Sequence, residues 1–167
     1  MAKRCLRLDQ VWLLVSPGNP LKPAKGMGAL ADRLASARAL GDGRRIIATD
    51  LEARLGTRYT VDTLRHLRMR FPHARFVWLM GADNLEQLPR WRHWRAMVAT
   101  VPFAVMPRPT YNHRALAGRA SLRLRRARLQ PRHAPILAHQ PAPHWVFLPV
   151  RQHHASATQI RLAAAQS

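Results

Sequence analysis

Short apolar runs alternate along the chain with longer segments in which apolar residues recur every three or four positions. The uninterrupted runs predict strands buried on both faces, and the recurring pattern predicts amphipathic helices. Because strands and helices alternate in order, we expect right-handed crossovers and one α/β domain with a parallel sheet. Strands are predicted at 11–15, 45–48, 76–80, 101–106 and 145–148, and helices at 29–40, from Thr60 onward, at 114–129 and at 156–165.

Three segments carry more specific expectations. Thr60 is the expected N-cap of its helix, since a threonine hydroxyl can accept a hydrogen bond from the first turn. The segment 130–144 holds four prolines and no period, which predicts a loop. The segment 114–129 is expected to form one continuous basic helix, with Leu116, Ala120, Leu124 and Ala127 facing inward and Arg119, Arg123 and Arg126 facing outward.

The charge balance separates this chain from an average globular protein. Its 167 residues are 47% hydrophobic and 22% charged, which favours a folded chain. However, 28 Lys and Arg against 8 Asp and Glu give a net charge of +20. This excess has two interpretations, a surface for nucleic acid or nucleotides, or the arginine bias of a GC-rich genome. Charge alone does not decide between them.

The cysteine, the apolar runs and the histidines of the sequence predict its cellular compartment and its metal binding. Cys5 is the single cysteine, so no intrachain disulfide can form, which suits a reducing cytoplasm. The apolar run 11–15 is short for a signal peptide and the run 97–106 is short for a membrane helix, so we expect a cytoplasmic protein without a membrane partner. The nine histidines form no i,i+4 pair with carboxylates beside them, and no metal held by protein side chains is expected.

Polar residues follow several of the predicted strands. In an open parallel sheet, ligands bind beyond the carboxyl ends of the strands, which directs attention to 16–22, 81–84 and 107–109. Ser156, Thr158 and Arg161 open the last predicted helix, where hydroxyls, free N–H groups and a guanidinium could bind phosphate. The alternative is an N-cap followed by a surface arginine.

Two further features have paired interpretations. Lys22 follows a rigid Asn19-Pro20-Leu21 turn, where it could hold its charge over the sheet edge or lie in solvent. Trp91 and Trp94 could stack on an aromatic ring, or could pack in the core of a short helix.

Six motifs taken together resemble those of bacterial nicotinate-mononucleotide adenylyltransferases. They are Ser-Pro-Gly-Asn-Pro-Leu-Lys at 16–22, Tyr-Thr-Val-Asp-Thr-Leu at 59–64, Gly-Ala-Asp-Asn-Leu at 81–85, Trp91-x-x-Trp94, Arg108-Pro109 and Ser-Ala-Thr-x-Ile-Arg at 156–161. The resemblance extends over residues 7–161. It implies a Rossmann-like nucleotidyltransferase domain with helices on both faces of the sheet, as a single domain over 1–167.

The resemblance also implies a reaction and a set of site residues. Nicotinate mononucleotide would react with ATP, accompanied by Mg²⁺, to give nicotinate adenine dinucleotide and pyrophosphate. Catalysis would rest on positioning and electrostatic stabilisation, without a protein nucleophile. Nucleic acid is not an expected partner under this interpretation, and a homo-oligomer is left open.

Individual roles are implied by the same motifs. Lys22 and Arg161 would be the catalytic residues that neutralise phosphates, with Ser156 and Thr158 beside them. The substrate-binding residues would be Trp91 stacked on the pyridine ring, the backbone near Arg92, Thr60 and Thr63 at the nicotinate end, Gly81 with Asp83 at a ribose, and Arg108 near the nucleotide.

The sequence departs from the family pattern in its first segment. The family opens with a strand and a Gly-x-Phe-Asp-Pro-x-His-x-Gly-His type loop that binds ATP phosphates, and residues 1–10 instead resemble the tail of the helix that follows it. We therefore expect a sheet without its central strand and little adenylyl transfer by these 167 residues. Either Met1 is a misassigned start, which we favour, or the natural product is truncated and inactive. A smaller departure is Thr110, which stands where glycine is common.

The alternative function comes from another class. The arginine face of 114–129 and the net charge of +20 would suit a basic module that binds nucleic acid without catalysis. Such a module would bind DNA or RNA with a steep salt dependence and would bind no nucleotide.

Overall fold

The computed structural model describes residues 1–18 and 28–150 and contains two parallel β-sheets. In the smaller sheet, β1 pairs with β2 so that Trp12 lies opposite Ile47. In the larger sheet, the strand order is β3-β4-β6-β5. The strands are β1 (Val11–Leu14), β2 (Ile46–Thr49), β3 (Trp78–Gly81), β4 (Phe103–Met106), β5 (Arg128–Leu129) and β6 (Trp145–Phe147).

All five strands predicted from apolar runs are confirmed, and every strand pair is parallel. The structure adds β5, a two-residue strand that pairs with β6. Arg128 and Leu129 are too few to produce an apolar run, so the sequence pattern could not indicate them. The strands are divided between two sheets, whereas the sequence pattern predicted one sheet.

Eight α-helices connect the strands in the described residues. They are α1 (Ala2–Cys5), α2 (Leu30–Ala39), α3 (Leu51–Arg54), α4 (Thr60–Arg70), α5 (Ala82–Gln87), α6 (Trp94–Val98), α7 (Asn112–Ala117) and α8 (Arg119–Arg123). Three 3-10 segments at Leu88–Arg90, Arg125–Ala127 and Pro131–His139 complete the connections. None of the described helices has the length and apolar character needed to cross a membrane.

The expected N-cap of α4 is wrong by one residue. Helix α4 begins at Thr60, but the N-cap position is occupied by Tyr59 in an extended conformation, and no side chain caps the helix. The carbonyl of Tyr59 accepts the hydrogen bonds of the Asp62 and Thr63 backbone N–H groups, at 3.0 and 3.2 Å. Thr60 is therefore the first helical residue.

The segment 114–129 is not one continuous helix. It is interrupted at Gly118, whose backbone is extended, and α8 then begins at Arg119. A Cβ atom at Gly118 would lie 3.0 Å from the Arg114 carbonyl and 3.2 Å from that of Ala115, so the close turn favours glycine. The predicted faces are retained, because Ala120 is buried while Arg119, Arg123 and Arg126 are exposed.

The segment 130–144 also differs from the expected loop. Pro131–His139 forms a nine-residue 3-10 segment that buries Ala134 and Leu137. Proline fixes φ near the helical value and has no backbone N–H group. Pro131 therefore fits the first position of the 3-10 segment, where an N–H group would have no partner within the segment. The burial of Ala134 and Leu137 against the sheet then stabilises it.

The larger sheet is packed on both faces, which confirms an α/β fold. Along β4, Phe103 and Val105 belong to one apolar cluster with α4, α5 and α6, whereas Ala104 belongs to a second cluster with α1 and the Pro131–His139 segment. Successive side chains of a strand point to opposite faces, so the two clusters lie on opposite faces of the sheet. The carboxyl ends of β3 and β4 are thereby held between packed helices.

Candidate active site at the carboxyl ends of the strands

Gly81, Asp83 and Arg108 come together at the carboxyl ends of β3 and β4. Gly81 ends β3 and precedes α5, and the register places it opposite Met106, the last residue of β4. Asp83 lies in the first turn of α5, and Arg108 lies two residues after β4. The Nε atom of Arg108 is 3.2 Å from Oδ1 of Asp83, in a partly exposed ion pair. The structure thus brings three of the predicted substrate-binding residues into contact.

One oxygen of Asp83 lacks a hydrogen bond within the described residues. Oδ1 is shielded from solvent, and although the Arg108 guanidinium is close, its N–H groups do not point at the oxygen with hydrogen-bond geometry. A buried carboxylate oxygen without a donor is energetically costly unless a partner satisfies it. The remainder of the Asp83 side chain is 27% exposed. A ligand could reach the exposed part of the Asp83 side chain but not the shielded Oδ1 atom.

Glycine is required at position 81 by the closeness of these side chains. A Cβ atom there would overlap Oδ1 of Asp83 and would lie 2.9 Å from Nε of Arg108. Any larger residue would displace the ion pair. The glycine therefore permits the carboxylate and the guanidinium to approach the end of β3.

The loop after β4 fixes the position of Arg108. Its backbone N–H donates a 2.8 Å hydrogen bond to Oδ1 of Asn112. Thr110 has a φ of 67°, the left-handed region that glycine adopts most readily. This conformation gives a physical reason why glycine suits the position, and it shows that threonine occupies it here at some cost in backbone strain.

A second group of predicted residues lies around the first turn of α4. Nη1 of Arg92 donates a 3.3 Å hydrogen bond to the hydroxyl of Tyr59, and its guanidinium lies 4.9 Å from the centre of the Tyr59 ring. Tyr59 is adjacent to Thr60, and Trp91 is adjacent to Arg92. The side chains of Tyr59 and Trp91 are both partly buried against the same apolar cluster.

Thr63 lies in the interior of the protein, beneath the first turn of α4. Its side chain is fully buried, and its hydroxyl contacts the Thr57 hydroxyl at 2.8 Å and Oε1 of Glu52 at 3.3 Å. It also lies 3.4 Å from the carbonyl oxygen of Tyr59. These contacts favour a supporting role for Thr63 beneath the first turn of α4.

Glu52, Thr57 and the side chain of Tyr59 carried no prediction from the sequence. A signal existed for Glu52, since it is one of only eight acidic residues in a strongly basic chain. Tyr59 stood within the quoted 59–64 motif, directly before Thr60. Nothing in the local pattern marked Thr57. It lies in the turn before α4, and only the fold brings its hydroxyl to that of Thr63.

One continuous segment joins the two groups. Helix α5 begins next to Gly81, and the 3-10 segment Leu88–Arg90 then leads to Trp91. At the rise of these helices, Asp83 and Trp91 are separated by roughly 12–16 Å along the segment. Ala82, Leu85 and Leu88 are buried along it and hold it against the sheet.

Four predicted residues lie outside the described residues. They are the two expected catalytic residues, Lys22 and Arg161, and the hydroxyl residues Ser156 and Thr158. Within residues 1–18 and 28–150, no three histidine, cysteine or acidic side chains lie close enough together to hold a metal ion.

The fold and the family comparison agree on the class of protein. A parallel α/β arrangement positions polar side chains at the carboxyl ends of adjacent strands, and residues 1–163 match the family model described as cytidylyltransferase-like. The chain belongs to this family, and it is a nucleotidyltransferase.

Curated relatives define the class more narrowly. The chain is 61% identical to a protein of Gluconacetobacter diazotrophicus over 98% of this chain and 76% of the relative. It is 56% identical to one of Gluconobacter oxydans over 96% and 82%, and 52% identical to one of Parvibaculum lavamentivorans over 96% and 80%. All three are named probable nicotinate-nucleotide adenylyltransferases. These similarities confirm the predicted family, and they give no support to a non-catalytic nucleic-acid module.

Proposed function

We propose that this protein transfers the adenylyl group of ATP to nicotinate mononucleotide. A phosphate oxygen of the mononucleotide forms a bond to the α-phosphorus of ATP, and the bond from that phosphorus to the β-phosphate oxygen breaks. The products are nicotinate adenine dinucleotide and pyrophosphate. The names of the relatives and the six motifs support this choice of substrates.

The observation that carries the proposal is the partly exposed ion pair of Asp83 and Arg108 at the carboxyl ends of β3 and β4. Ribose hydroxyls are neutral donors, and a carboxylate oxygen at a strand end is a suitable acceptor for them. Arg108, held next to Asp83, has exposed surface from which to contact a phosphate. Asp83 and Arg108 would therefore bind the sugar and phosphate of a nucleotide together.

The other group would bind the pyridine end. Trp91 packs against the same apolar cluster as Tyr59, its neighbour Arg92 contacts Tyr59, and Thr63 supports the first turn of α4 from below. The backbone near Arg92 completes this end of the site. A ligand bound at both groups would extend along α5, from the ribose at Asp83 to the ring at Trp91.

The reaction as proposed requires no protein nucleophile. The side chains orient the two substrates and stabilise charge on the transferring phosphate, which are the usual contributions in phosphoryl transfer. Mg²⁺ would enter with ATP as its phosphate-bound partner and would neutralise phosphate charge. We place the reaction in the cytoplasm, in keeping with a chain whose one cysteine, Cys5, is free.

Binding by the full chain tests the substrate assignment. Calorimetry is expected to show binding of nicotinate mononucleotide, and Asp83→Asn is expected to weaken nucleotide binding by about 10-fold or more, because one acceptor oxygen becomes a donor. Asp32→Asn, an identical change on an exposed face of α2, is the matched control and should have no effect. Absence of binding by the unmodified chain to both ATP and the mononucleotide would refute the proposal.

The stacking role of Trp91 has its own test. Trp91→Ala is expected to weaken nicotinate mononucleotide binding by roughly 1–3 kcal/mol, the range for stacking of a base on an aromatic side chain. Trp94→Ala removes a second tryptophan from the same segment, one that carries Arg95 over its ring at 5.8 Å. Equal losses in the two variants would remove Trp91 from the site.

Phosphate binding by Lys22, Ser156, Thr158 and Arg161 rests on their motifs. Arg161→Lys keeps the charge but loses the planar fork of guanidinium donors. In a chain preceded by the strand and the His-x-Gly-His type loop of the family, we expect this change to cause a strong loss of adenylyl transfer. Arg123→Lys is the control, since Arg123 is exposed on α8. Small effects of equal size would remove Arg161 from the phosphate site.

A further inference from the structure

We infer that a basic surface at the amino end of the larger sheet binds the sugar–phosphate backbone of a nucleic-acid duplex. The basic surface consists of the exposed arginines of α8, of the 3-10 segment that follows it and of the edge strand β5, namely Arg119, Arg123, Arg125, Arg126 and Arg128. It gives the nucleotidyltransferase a second binding surface, whose role does not depend on the substrates proposed above.

Acidic residues are unevenly distributed along the chain. All eight lie at or before Glu86, whereas residues 87–167 hold 13 arginines and no aspartate or glutamate. The bias of a GC-rich genome replaces lysine by arginine, but it does not remove acidic residues, because aspartate and glutamate each have a codon that ends in C or G. Genome composition therefore does not account for the absence of acidic residues from the second half of the chain.

No acidic side chain neutralises the arginines of the basic surface. All eight acidic side chains lie within the described residues, and none of them forms an ion pair with any of these arginines. Arg119 and Arg123 lie four positions apart on α8, where like charges weaken a helix. This spacing does not stabilise α8, and it favours a role for the two arginines in binding an anion.

The backbone beneath the basic surface is anchored to the sheet. Nε1 of the buried Trp145 donates a 3.0 Å hydrogen bond to the carbonyl of Leu124, at the junction of α8 and the 3-10 segment. Ala120 and Ser121 of α8 are buried. The guanidinium of Arg128 lies 5.3 Å from the centre of the Trp145 ring, within the range of cation–π contacts. The arginines therefore extend from a backbone that is already held in place before a ligand binds.

The basic surface lies at the opposite end of the sheet from the candidate active site. Arg128 lies opposite Trp145, the first residue of β6, in the register of the parallel strands. In contrast, Gly81 lies opposite Met106, the last residue of β4. Because the nucleotide would bind at the carboxyl ends of the strands, a ligand at the basic surface would not compete with it.

The composition of this surface favours a duplex over other anionic partners. Interfaces with nucleic acid are more polar and more positively charged than interfaces between proteins. Residues 119–132 include no aromatic side chain on which the bases of a single strand could stack. Helix α8 has five residues and exposes one large apolar side chain, Leu122, which is too little for insertion into a lipid surface. Phosphate groups contacted by arginines, without reading of the bases, fit this arrangement.

Duplex binding by the full chain tests the inference. Fluorescence anisotropy is measured over a range of salt concentrations with labelled DNA and RNA duplexes of equal length. Both carry the phosphate backbone, and the duplex that binds more tightly identifies the partner. Combined replacement of Arg119, Arg123 and Arg126 by Gln should weaken binding about 10- to 100-fold at about 0.1 M salt. It should also reduce the slope of log K against log salt by about 2–3, since each phosphate contact contributes about 0.9.

A second triple variant separates this surface from general basicity. Replacement of Arg38, Arg44 and Arg70 by Gln removes three charges from exposed positions elsewhere, so both triple variants lower the net charge from +20 to +17. The second variant should bind either duplex nearly as tightly as the unmodified chain. Circular dichroism and urea denaturation of both variants check that the fold is retained, and addition of ATP should not displace the duplex.

Several outcomes would overturn the inference. Equal weakening by the two triple variants would mean that net charge alone accounts for binding. Equal affinity for poly-glutamate would indicate an acidic protein partner, and displacement of the duplex by ATP would place nucleic acid in the nucleotide site. Absence of duplex binding by the unmodified chain at about 0.1 M salt would also refute it. The proposed function would stand in each case, because it is tested by the binding of nucleotides.

Discussion

The two sheets of this protein differ in how deeply their strands are buried. In the four-stranded sheet, Phe103, Ala104 and Val105 of β4 are each fully buried, and apolar clusters cover both faces. In the two-stranded sheet, every residue of β1 and β2 is only partly buried. All the predicted site residues within the described residues lie on elements attached to the four-stranded sheet. Site geometry therefore depends on the part of the molecule that has least freedom to move.

Removing one aromatic side chain from each sheet should give the largest difference in the free energy of unfolding. Phe103 is fully buried and stacks on Trp145 with ring centres 5.5 Å apart. Phe103→Ala should lower the free energy of unfolding by about 3–5 kcal/mol in urea denaturation. Trp12→Ala in β1 should cost roughly 1–3 kcal/mol, because Trp12 is partly exposed and meets Phe71 and Phe76 edge-on. Equal losses would contradict the comparison.

A matched pair of valines gives a sharper test. Val105 in β4 is fully buried, whereas Val11 in β1 is partly exposed. Because both changes to alanine remove the same two methyl groups, we expect Val105→Ala to cost about 2–3 kcal/mol and Val11→Ala less than about 1 kcal/mol. Urea denaturation of the two variants measures this directly. A greater loss from Val11→Ala would mean that β1 is packed more tightly than β4.

The buried polar network beneath α4 should give an intermediate effect. Thr63→Val keeps the shape of the side chain but leaves the Thr57 hydroxyl and a Glu52 oxygen without their partner, which should cost about 1–2 kcal/mol. Thr100→Val is the control, since it removes a hydroxyl that bonds only to the Ala96 carbonyl. Similar unfolding free energies for both variants would mean that the network contributes little.

The smallest effect concerns Asp42 in the turn before β2. Hydrogen bonds donated by the backbone N–H groups of Ile46, Arg45 and Arg44 lower the pKa of Asp42 below its ordinary value of 3.8. A carboxyl with a lowered folded-state pKa adds stability above its unfolded-state pKa, and this contribution is lost as the pH falls through the folded-state pKa.

Unfolding measured at several pH values checks this expectation. The stability advantage of the unmodified chain over Asp42→Asn should be present at neutral pH and should decline as the pH falls below about 4, toward the lowered folded-state pKa. An advantage that is independent of pH would show that the charge of Asp42 does not contribute to the free energy of unfolding.

Short-range patterns were sufficient for much of the fold. The apolar runs located five strands, and the three-to-four-residue period located α2 and α4, because each pattern depends on which face of a single element is buried. The same local reasoning failed at 114–129. Apolar periodicity continues across Gly118, but the close approach of that glycine to the carbonyls of α7 redirects the chain.

The sequence by itself determined the alternation of strands and helices, the excess of arginine, and the motifs that identify the family. Tertiary structure alone decided the strand order β3-β4-β6-β5 and the division into two sheets. It also decided which distant residues meet, as Asp83 does with Arg108 and Tyr59 with Arg92. The physical reason is that an element's period depends on its own neighbours along the chain, whereas a contact between separate elements depends on how all of them pack together.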